Sequence, residues 1–276
     1  MLALLFGAIV GLALGLTGGG GSLFAIPLLV YGLGYSMERA VPLSLLVVGI
    51  TAAVGVLAAI PSKRISFKPA LVFAVAGMLF TPFGIQLAMR WPQSLVLTLF
   101  GVLALFIASY MWRRSLRAPE EAKVVRASFV TENANALCRL SADGQFRFSG
   151  PCAVALSVAG ATTGFLSGLF GVGGGFLIVP TLMFITQLSI QSAVATSLLT
   201  ISAISGGGVF AAMAQGVRFD WITVAPFVGG GVLGLSVGFV VARHLSGALL
   251  QRIFAGLIMA TALFVIIRNT SGGGLA

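Results

Sequence analysis

Two apolar stretches of this sequence are too long to be single membrane helices, and both contain the same glycine-rich phrase. The phrase occupies residues 15–22 and 168–175, and in both copies an apolar run and a proline follow, at Pro27 and Pro180. Glycine and proline interrupt helices, and a break at bilayer depth exposes backbone polar groups that lipid cannot hydrogen-bond. Such breaks persist where they line a cavity or a binding site, so the phrases constrain both the fold and the function.

The composition is that of a membrane protein. Of the residues, 58% are hydrophobic and 8% are charged, and the mean hydropathy is +1.10, whereas soluble domains carry about 25% charged residues. Apolar runs that reach the length of about 20 residues needed to span a bilayer occur at 2–34, 40–60, 69–89, 93–112, 151–185, 192–214, 222–242 and 247–267. We therefore expect an all-α integral membrane protein of about eight transmembrane segments in a bacterial inner membrane. The two long runs are interpreted as helices broken at the glycines.

The two halves of the chain align at an almost constant offset of 153 residues. At this offset Ser44 aligns with Ser197, and Pro27 aligns with Pro180. A register that holds through several spans indicates duplication of a four-segment unit. The expected organisation is a first transmembrane repeat at 1–112, a cytoplasmic linker at 113–150, a second transmembrane repeat at 151–268 and a C-terminal tail at 269–276.

The linker carries one local pattern. Residues 138–148 alternate around an Asp-Gly pair, which is typical of a small β-hairpin. A solvated linker without that hairpin fits the composition equally well. Cys138 and Cys152 have no metal-site spacing, and we expect reduced thiols because both flank a segment placed in the cytoplasm.

Lysine and arginine are unevenly divided between the two sides of the predicted bundle. With eight full crossings, twelve fall on one side and three on the other, which places both termini and the linker in the cytoplasm. Four crossings per half would give the two repeats the same orientation. If each glycine break instead turns back as a re-entrant hairpin, each half crosses three times and the repeats are inverted. Without the linker, the loop charges divide five against three in the first arrangement and four against four in the second, so they lean towards full crossings.

The acidic residues limit the chemistry that can occur inside the membrane. All six lie in loops or in the linker, namely Glu38, Glu120, Glu121, Glu132, Asp143 and Asp220. A proton relay or a cation site in a membrane usually needs a buried carboxylate, and no Ser/His/Asp set or His/Cys cluster suggests hydrolysis or a metal. We therefore expect no enzyme activity, no cofactor, no metal and no nucleic-acid partner. The expected partners are a small anionic substrate and the lipid bilayer, and the oligomeric state stays open.

The glycine breaks are then best explained as a site for a small anion. A half-helix that begins after Gly21 or Gly175 directs backbone N–H groups and a partial positive charge at the break. Glycine lets an anion approach that backbone closely, and nearby hydroxyl groups add donors. The predicted substrate-binding residues are Thr17, Gly18, Gly19, Gly20, Gly21, Ser22, Ser44, Gly171, Gly173, Gly174, Gly175, Thr196 and Ser197. The alternative, that the glycines only permit close helix packing, is the interpretation adopted for scattered glycines such as Gly49, Gly55 and Gly77.

These motifs resemble the TauE/SafE family of membrane permeases, which includes sulfite and organosulfonate exporters. The resemblance rests on the two glycine phrases with Pro27 and Pro180, and on residues 195–198 and 216–221 of the second half. It implies a secondary transporter that exports a small sulfur-containing anion, bound between the two repeats. An anion channel and a non-transporting membrane scaffold are the alternatives.

Overall fold

The computed structural model describes residues 1–62, 65–117, 139–140, 146–147, 150–172, 174–186, 190–244 and 247–270. Within these residues the chain forms ten α-helices: α1 (Leu2–Thr17), α2 (Ser22–Pro27), α3 (Met37–Ala59), α4 (Phe67–Arg90), α5 (Gln93–Arg117), α6 (Gly150–Phe170), α7 (Gly175–Thr186), α8 (Ile190–Ala214), α9 (Trp221–His244) and α10 (Gly247–Thr270). A π-helix (Leu28–Gly32) continues α2, and a 3-10 turn (Ile60–Ser62) follows α3. In this described part, five helical segments are long and apolar enough to cross a membrane: Met37–Ala59, Phe67–Arg90, Gly150–Phe170, Ser192–Ala214 and Trp221–Ala242. The all-α membrane class is therefore confirmed, with five rather than eight helices meeting this criterion.

Each of the two long apolar stretches is divided into two helices at its glycine phrase, as the sequence predicts. α1 ends at Thr17 because Gly18 adopts a left-handed conformation (φ 71°), in which its N–H bonds to the carbonyl oxygen of Leu14 at 2.7 Å. Gly171, at the equivalent position after α6, is left-handed as well (φ 64°). A side chain with a β-carbon is strained in this conformation, so both helix ends require glycine.

Part of the linker is described. β1 (Arg139–Leu140) and β2 (Phe146–Arg147) pair antiparallel, at the segment where the sequence predicts a hairpin. The predicted Asp-Gly turn, at 143–144, lies outside the described residues. Cys152, near the start of α6, is buried and disulfide-bonded, so the expectation of a reduced thiol at this position is wrong.

Two parallel helix pairs are held together by glycine. α1 packs along α9, and α6 packs along α4. A β-carbon on Gly11 would overlap the carbonyl group of Gly231, and a β-carbon on Gly164 would overlap that of Gly77. Small residues at membrane helix interfaces allow such backbone contact. The successive contacts are Gly7–Phe227, Gly11–Gly231 and Gly15–Leu235 in the first pair, and Gly160–Phe73, Gly164–Gly77 and Gly168–Thr81 in the second. Residue numbers rise together on both helices, so each pair is parallel.

Two further helix pairs are antiparallel. Gly49 of α3 contacts Ser205 of α8, and further along α3, Gly55 contacts Leu198. Residue numbers therefore fall on α8 as they rise on α3. Residue numbers also fall on α10 as they rise on α5, because the contacts between these helices are Gly101–Ile266 and Trp112–Gly256.

α1 and α3 run in the same direction, although they follow each other in the chain. Thr51 of α3 contacts Gly231 of α9. One turn further along both helices, Gly55 contacts Leu235, so α3 is parallel to α9, as α1 is. The chain between α1 and α3 must therefore return to the end of the bundle where α1 begins.

α2 and the π-helix make this return. Gly21, immediately before α2, lies against the backbone of α1 at Val10 and Leu14. Gly32, at the end of the π-helix, lies against the ring of Phe6, one turn before Val10. The first glycine break is therefore the tip of a hairpin.

The second half has the same arrangement in the opposite direction. α6 and α8 both run parallel to α4, and the successive contacts between α4 and α8 are Gly77–Ile204, Met78–Gly207 and Thr81–Gly208. Gly174, immediately before α7, lies against Thr163 of α6, so the chain turns back here too. Both breaks are re-entrant, and an arrangement with full crossings at the breaks does not fit these contacts.

The start of α1 and the end of α10 lie at one end of the bundle, and the end of α5 lies at the other. α4 runs opposite to α1, and α5 follows it through the short connection Trp91–Pro92, which makes the two helices antiparallel. α5 therefore ends far from the start of α1, whereas α10, antiparallel to α5, ends beside that start. These helix directions do not fit an arrangement in which both termini and the linker share one side, because each turn-back removes one crossing from its half.

Replacing Gly11 by alanine should lower the stability of the protein in detergent by about 1–3 kcal/mol, since overpacking of this kind is destabilising. The added methyl group would overlap the carbonyl group of Gly231. Gly229→Ala on α9 is the matched control, because a β-carbon there meets no described atom within 4 Å. Thermal unfolding followed by tryptophan fluorescence measures both variants, and equal stability would contradict the close contact.

A short epitope inserted in the linker and the same epitope at the C-terminus should be accessible from opposite faces of oriented membrane vesicles. The re-entrant breaks place an odd number of crossings between these two points. Protease protection, read by immunoblotting, measures the accessible face. Digestion of both epitopes from one face would rule out the re-entrant arrangement.

Candidate functional site

The two glycine breaks meet in the interior of the bundle. A β-carbon on Gly19 would overlap the carbonyl group of Gly175, and one on Gly175 would lie 2.7 Å from the Cα atom of Gly19. α2 begins at Ser22, three residues after this contact, and α7 begins at Gly175 itself. Two helix N-termini therefore approach each other at a buried point, and each carries a partial positive charge.

The hydroxyl groups of the first break are engaged in shaping it. Thr17 Oγ1 donates to the carbonyl oxygen of Ala13 at 2.7 Å and accepts the N–H of Gly20 at 2.8 Å. Ser22 Oγ donates to the carbonyl oxygen of Gly19 at 2.8 Å. These two side chains stabilise the turn, so their contribution to a ligand would come through the backbone that they hold in place.

Ser44 and Ser197 connect each half of the chain to the break of the other half. Ser197 Oγ lies 2.6 Å from the carbonyl oxygen of Gly18 and 2.7 Å from that of Val194. Ser44 Oγ has the same two kinds of partner, Gly171 and Val41. Both serines are fully buried. We call these two contacts the serine latches. In each, the serine hydroxyl donates to the carbonyl oxygen of the left-handed glycine at the break in the other half of the chain.

The latches depend on close packing as well as on hydrogen bonding. A β-carbon on Gly18 would lie 2.8 Å from the Cα atom of Val194, and one on Gly171 would lie 2.8 Å from that of Val41. The absence of a side chain at these two glycines lets α8 and α3 come within reach of the breaks. Gly18 with Ser197 and Gly171 with Ser44 thus form two pairs whose residues correspond at the sequence offset of 153.

Other predicted site residues have different surroundings. Thr196 Oγ1 accepts the N–H of Ser66, the residue before α4, at 3.1 Å, so this side chain holds the start of a helix. Gly21 packs against α1, as described above. Gly173 lies outside the described residues.

One residue beside the second break was not predicted. Ser167, in the last turn of α6, is fully buried, and its Cβ lies 3.4 Å from the position that a β-carbon on Gly174 would take. Repeat alignment could not find it, because the equivalent residue of the first half is Leu14. A hydroxyl group close to the glycine phrase was the signal available in the sequence.

The two carboxylate side chains in the described part of the chain are solvent-exposed. Glu38 is in the first turn of α3, and Asp220 caps α9 by accepting the N–H of Ile222 and the hydroxyl of Thr223. No group of three His, Cys, Asp or Glu that could hold a metal ion occurs in the described part of the chain. Among the described residues, the polar groups seen at the breaks are backbone N–H and C=O groups and hydroxyl groups.

Comparison with known proteins gives one family. The profile described as "Sulfite exporter TauE/SafE" matches residues 3–265. A probable membrane transporter protein of Xylella fastidiosa (strain Temecula1) is 32% identical over 268 residues, covering 95% of this chain and 93% of the relative. The probable membrane transporter protein YunE of Bacillus subtilis is 26% identical, with 89% of each chain covered. No solved structure matches the chain.

Ser197→Ala should lower the free energy of unfolding by about 1 kcal/mol, the net worth of a typical hydrogen bond. Ser236→Ala is the matched control, because its hydroxyl is exposed and donates within its own helix to Val232 at 2.9 Å. Unfolding of both purified variants by heat or denaturant gives the comparison. If Ser197→Ala were no less stable than Ser236→Ala, the latch would have no energetic role.

Proposed function

Because this chain belongs to the sulfite exporter TauE/SafE family, we propose that it is a secondary transporter that exports a small sulfur-containing anion such as sulfite or an organosulfonate. The observation that carries the proposal is the buried contact between Gly19 and Gly175, where two helix N-termini approach each other. An anion at a helix N-terminus accepts backbone N–H groups and is favoured by the helix dipole. The cargo would be bound without a full positive charge and so could also be released.

The packing supports a two-repeat architecture. Exchanging the halves at an offset of 153 residues converts the Ser44–Gly171 latch into the Ser197–Gly18 latch. The same exchange converts the pair α1 and α9 into the pair α6 and α4. Since the exchanged helices run in opposite directions, we propose inverted repeats related by an axis in the membrane plane, each with a re-entrant hairpin and three crossings. Transporters of this class place the substrate at the repeat interface and alternate access by moving one repeat against the other.

The charges support a cytoplasmic linker. In the re-entrant arrangement eleven lysines and arginines fall at the linker end of the bundle and four at the other end, with Arg252 inside α10 set aside. Positive residues favour the cytoplasmic side, so we place the linker there and both termini on the outer side of a bacterial inner membrane. The disulfide of Cys152 lies at the linker end and by itself favours an oxidising compartment. The charge asymmetry sums over fifteen residues and outweighs this single bond.

Binding of the cargo should raise the thermal stability of the purified protein. A ligand that binds the folded state at 100 times its Kd stabilises it by about 2.7 kcal/mol. A panel of sulfite, thiosulfate, sulfate, sulfoacetate and taurine, with chloride at equal ionic strength as control, identifies the class of anion. A melting temperature that none of these compounds raises above the chloride control would contradict the proposal.

Transport itself is tested in proteoliposomes. A carrier should exchange external labelled sulfite for internal sulfite, with a rate that saturates as the concentration rises. Unitary currents without saturation would instead support an anion channel. Binding without any flux, with intact folding, would support a non-transporting scaffold.

A further inference from the structure

Two buried hydroxyl groups in the described helices lack a hydrogen-bond partner. Several other Ser and Thr side chains in the helices donate to the carbonyl oxygen four residues earlier, a usual way to satisfy a hydroxyl in a helix. The described residues that do so are Thr17, Thr51, Thr81, Thr98, Ser109, Thr162, Thr186, Thr200 and Ser236. Ser167 Oγ and Ser205 Oγ are fully buried and have no hydrogen-bond partner in the described part of the chain.

Ser167, in the last turn of α6, lies beside the start of α7. Its Cβ lies 3.4 Å from the position that a β-carbon on Gly174 would take, and α7 begins at Gly175 and continues for 12 residues. Leu177 and Ile178 donate their N–H groups to the carbonyl oxygen of Gly174. The N–H groups ahead of Leu177, like those of any first helical turn, have no acceptor within their own helix.

A buried hydroxyl and the N–H groups of a helix start are both donors, and an oxygen that only accepts satisfies both. We infer that the transported oxyanion binds at the N-terminus of α7, with the hydroxyl of Ser167 as its side-chain ligand. This inference rests on the proposed function and adds the position of the cargo and the residue that selects it. A sulfite or sulfonate oxygen accepts from Ser167 and from the first turn of α7 together.

The first half of the chain offers no equivalent site. The residue equivalent to Ser167 is Leu14, which has no donor. The hydroxyl of Thr17 already accepts the N–H of Gly20 at 2.8 Å, and α2 is six residues long before the π-helix begins. The anion site is therefore present in one half of the chain only, although the two halves pack in equivalent ways. The first break contributes by packing against the second, through the contact between Gly19 and Gly175.

Ser167→Ala tests the inference, with Ser205→Ala as its matched control. Ser205 is equally buried and unpartnered but lies against Gly49 of α3. Because a hydrogen bond to a charged group is among the stronger ones, we expect Ser167→Ala to weaken sulfite binding about tenfold, measured as the concentration dependence of the melting temperature. Ser205→Ala should bind sulfite as the wild type does. Without ligand, both variants should melt at or above the wild-type temperature, since each removes an unsatisfied buried hydroxyl.

The outcomes separate this inference from the proposed function. If the wild type binds no sulfur oxyanion, the proposed function fails. If the wild type binds sulfite and Ser167→Ala binds it equally well, the location fails and the function stands. Equal weakening in Ser205→Ala also overturns the location. Should Ser167→Ala not fold, Ser167→Cys keeps a similar volume with a weaker donor, and unchanged affinity in that variant counts against the site.

Discussion

The structure depends on direct contact between backbones at positions where no side chain is present. Between helices in lipid there is little hydrophobic driving force, so association relies on close packing and on interhelical hydrogen bonds. Glycine supplies the first along α1 and α9 and along α4 and α6, where a β-carbon would overlap the neighbouring chain. At the breaks, glycine supplies close packing and hydrogen bonds. The contact between Gly19 and Gly175 brings the two hairpin tips together, and the serines of the latches donate hydrogen bonds to the carbonyl oxygens of Gly18 and Gly171. The scattered glycines and the clustered glycines therefore act by one physical principle.

Much of this could be predicted from the sequence, and the exceptions have a physical cause. Helix ends at Gly18 and Gly171 follow from the left-handed conformation that glycine permits, and the equivalence of Ser44 with Ser197 follows from the repeat register. The direction of the chain after each break could not be predicted, because hydropathy measures how apolar a segment is and not which way it runs. A run of 33 apolar residues is as compatible with a hairpin as with a tilted crossing. The direction of the chain after the first break follows from the contacts of Gly21 and Gly32 with α1.

Hydroxyl groups show a second limit of sequence reasoning. Every Ser and Thr in a membrane helix has a carbonyl oxygen one turn earlier as a ready partner, so a sequence cannot tell which of them is available. Thr196, a predicted substrate-binding residue, accepts the N–H of Ser66 just before α4. Ser167 has no equivalent hydroxyl in the first half, so the repeat does not single it out. It lies beside α7, and its hydroxyl has no hydrogen-bond partner in the described part of the chain. Such a residue is found at positions where the two halves differ, and not within the motif that they share.

The serine latches have a consequence for how such a chain could arise. In each half, the serine hydroxyl also lies within hydrogen-bond distance of a carbonyl oxygen of its own helix, whereas the break carbonyl meets a serine of the other half. An isolated half would therefore bury a glycine carbonyl without this partner, and a second copy inserted in the opposite orientation would supply it. A single ancestral unit would then have needed to enter the membrane in both orientations and pair with itself. Fusion through the linker would have made that antiparallel dimer permanent, and the two halves could then differ at single positions such as Leu14 and Ser167.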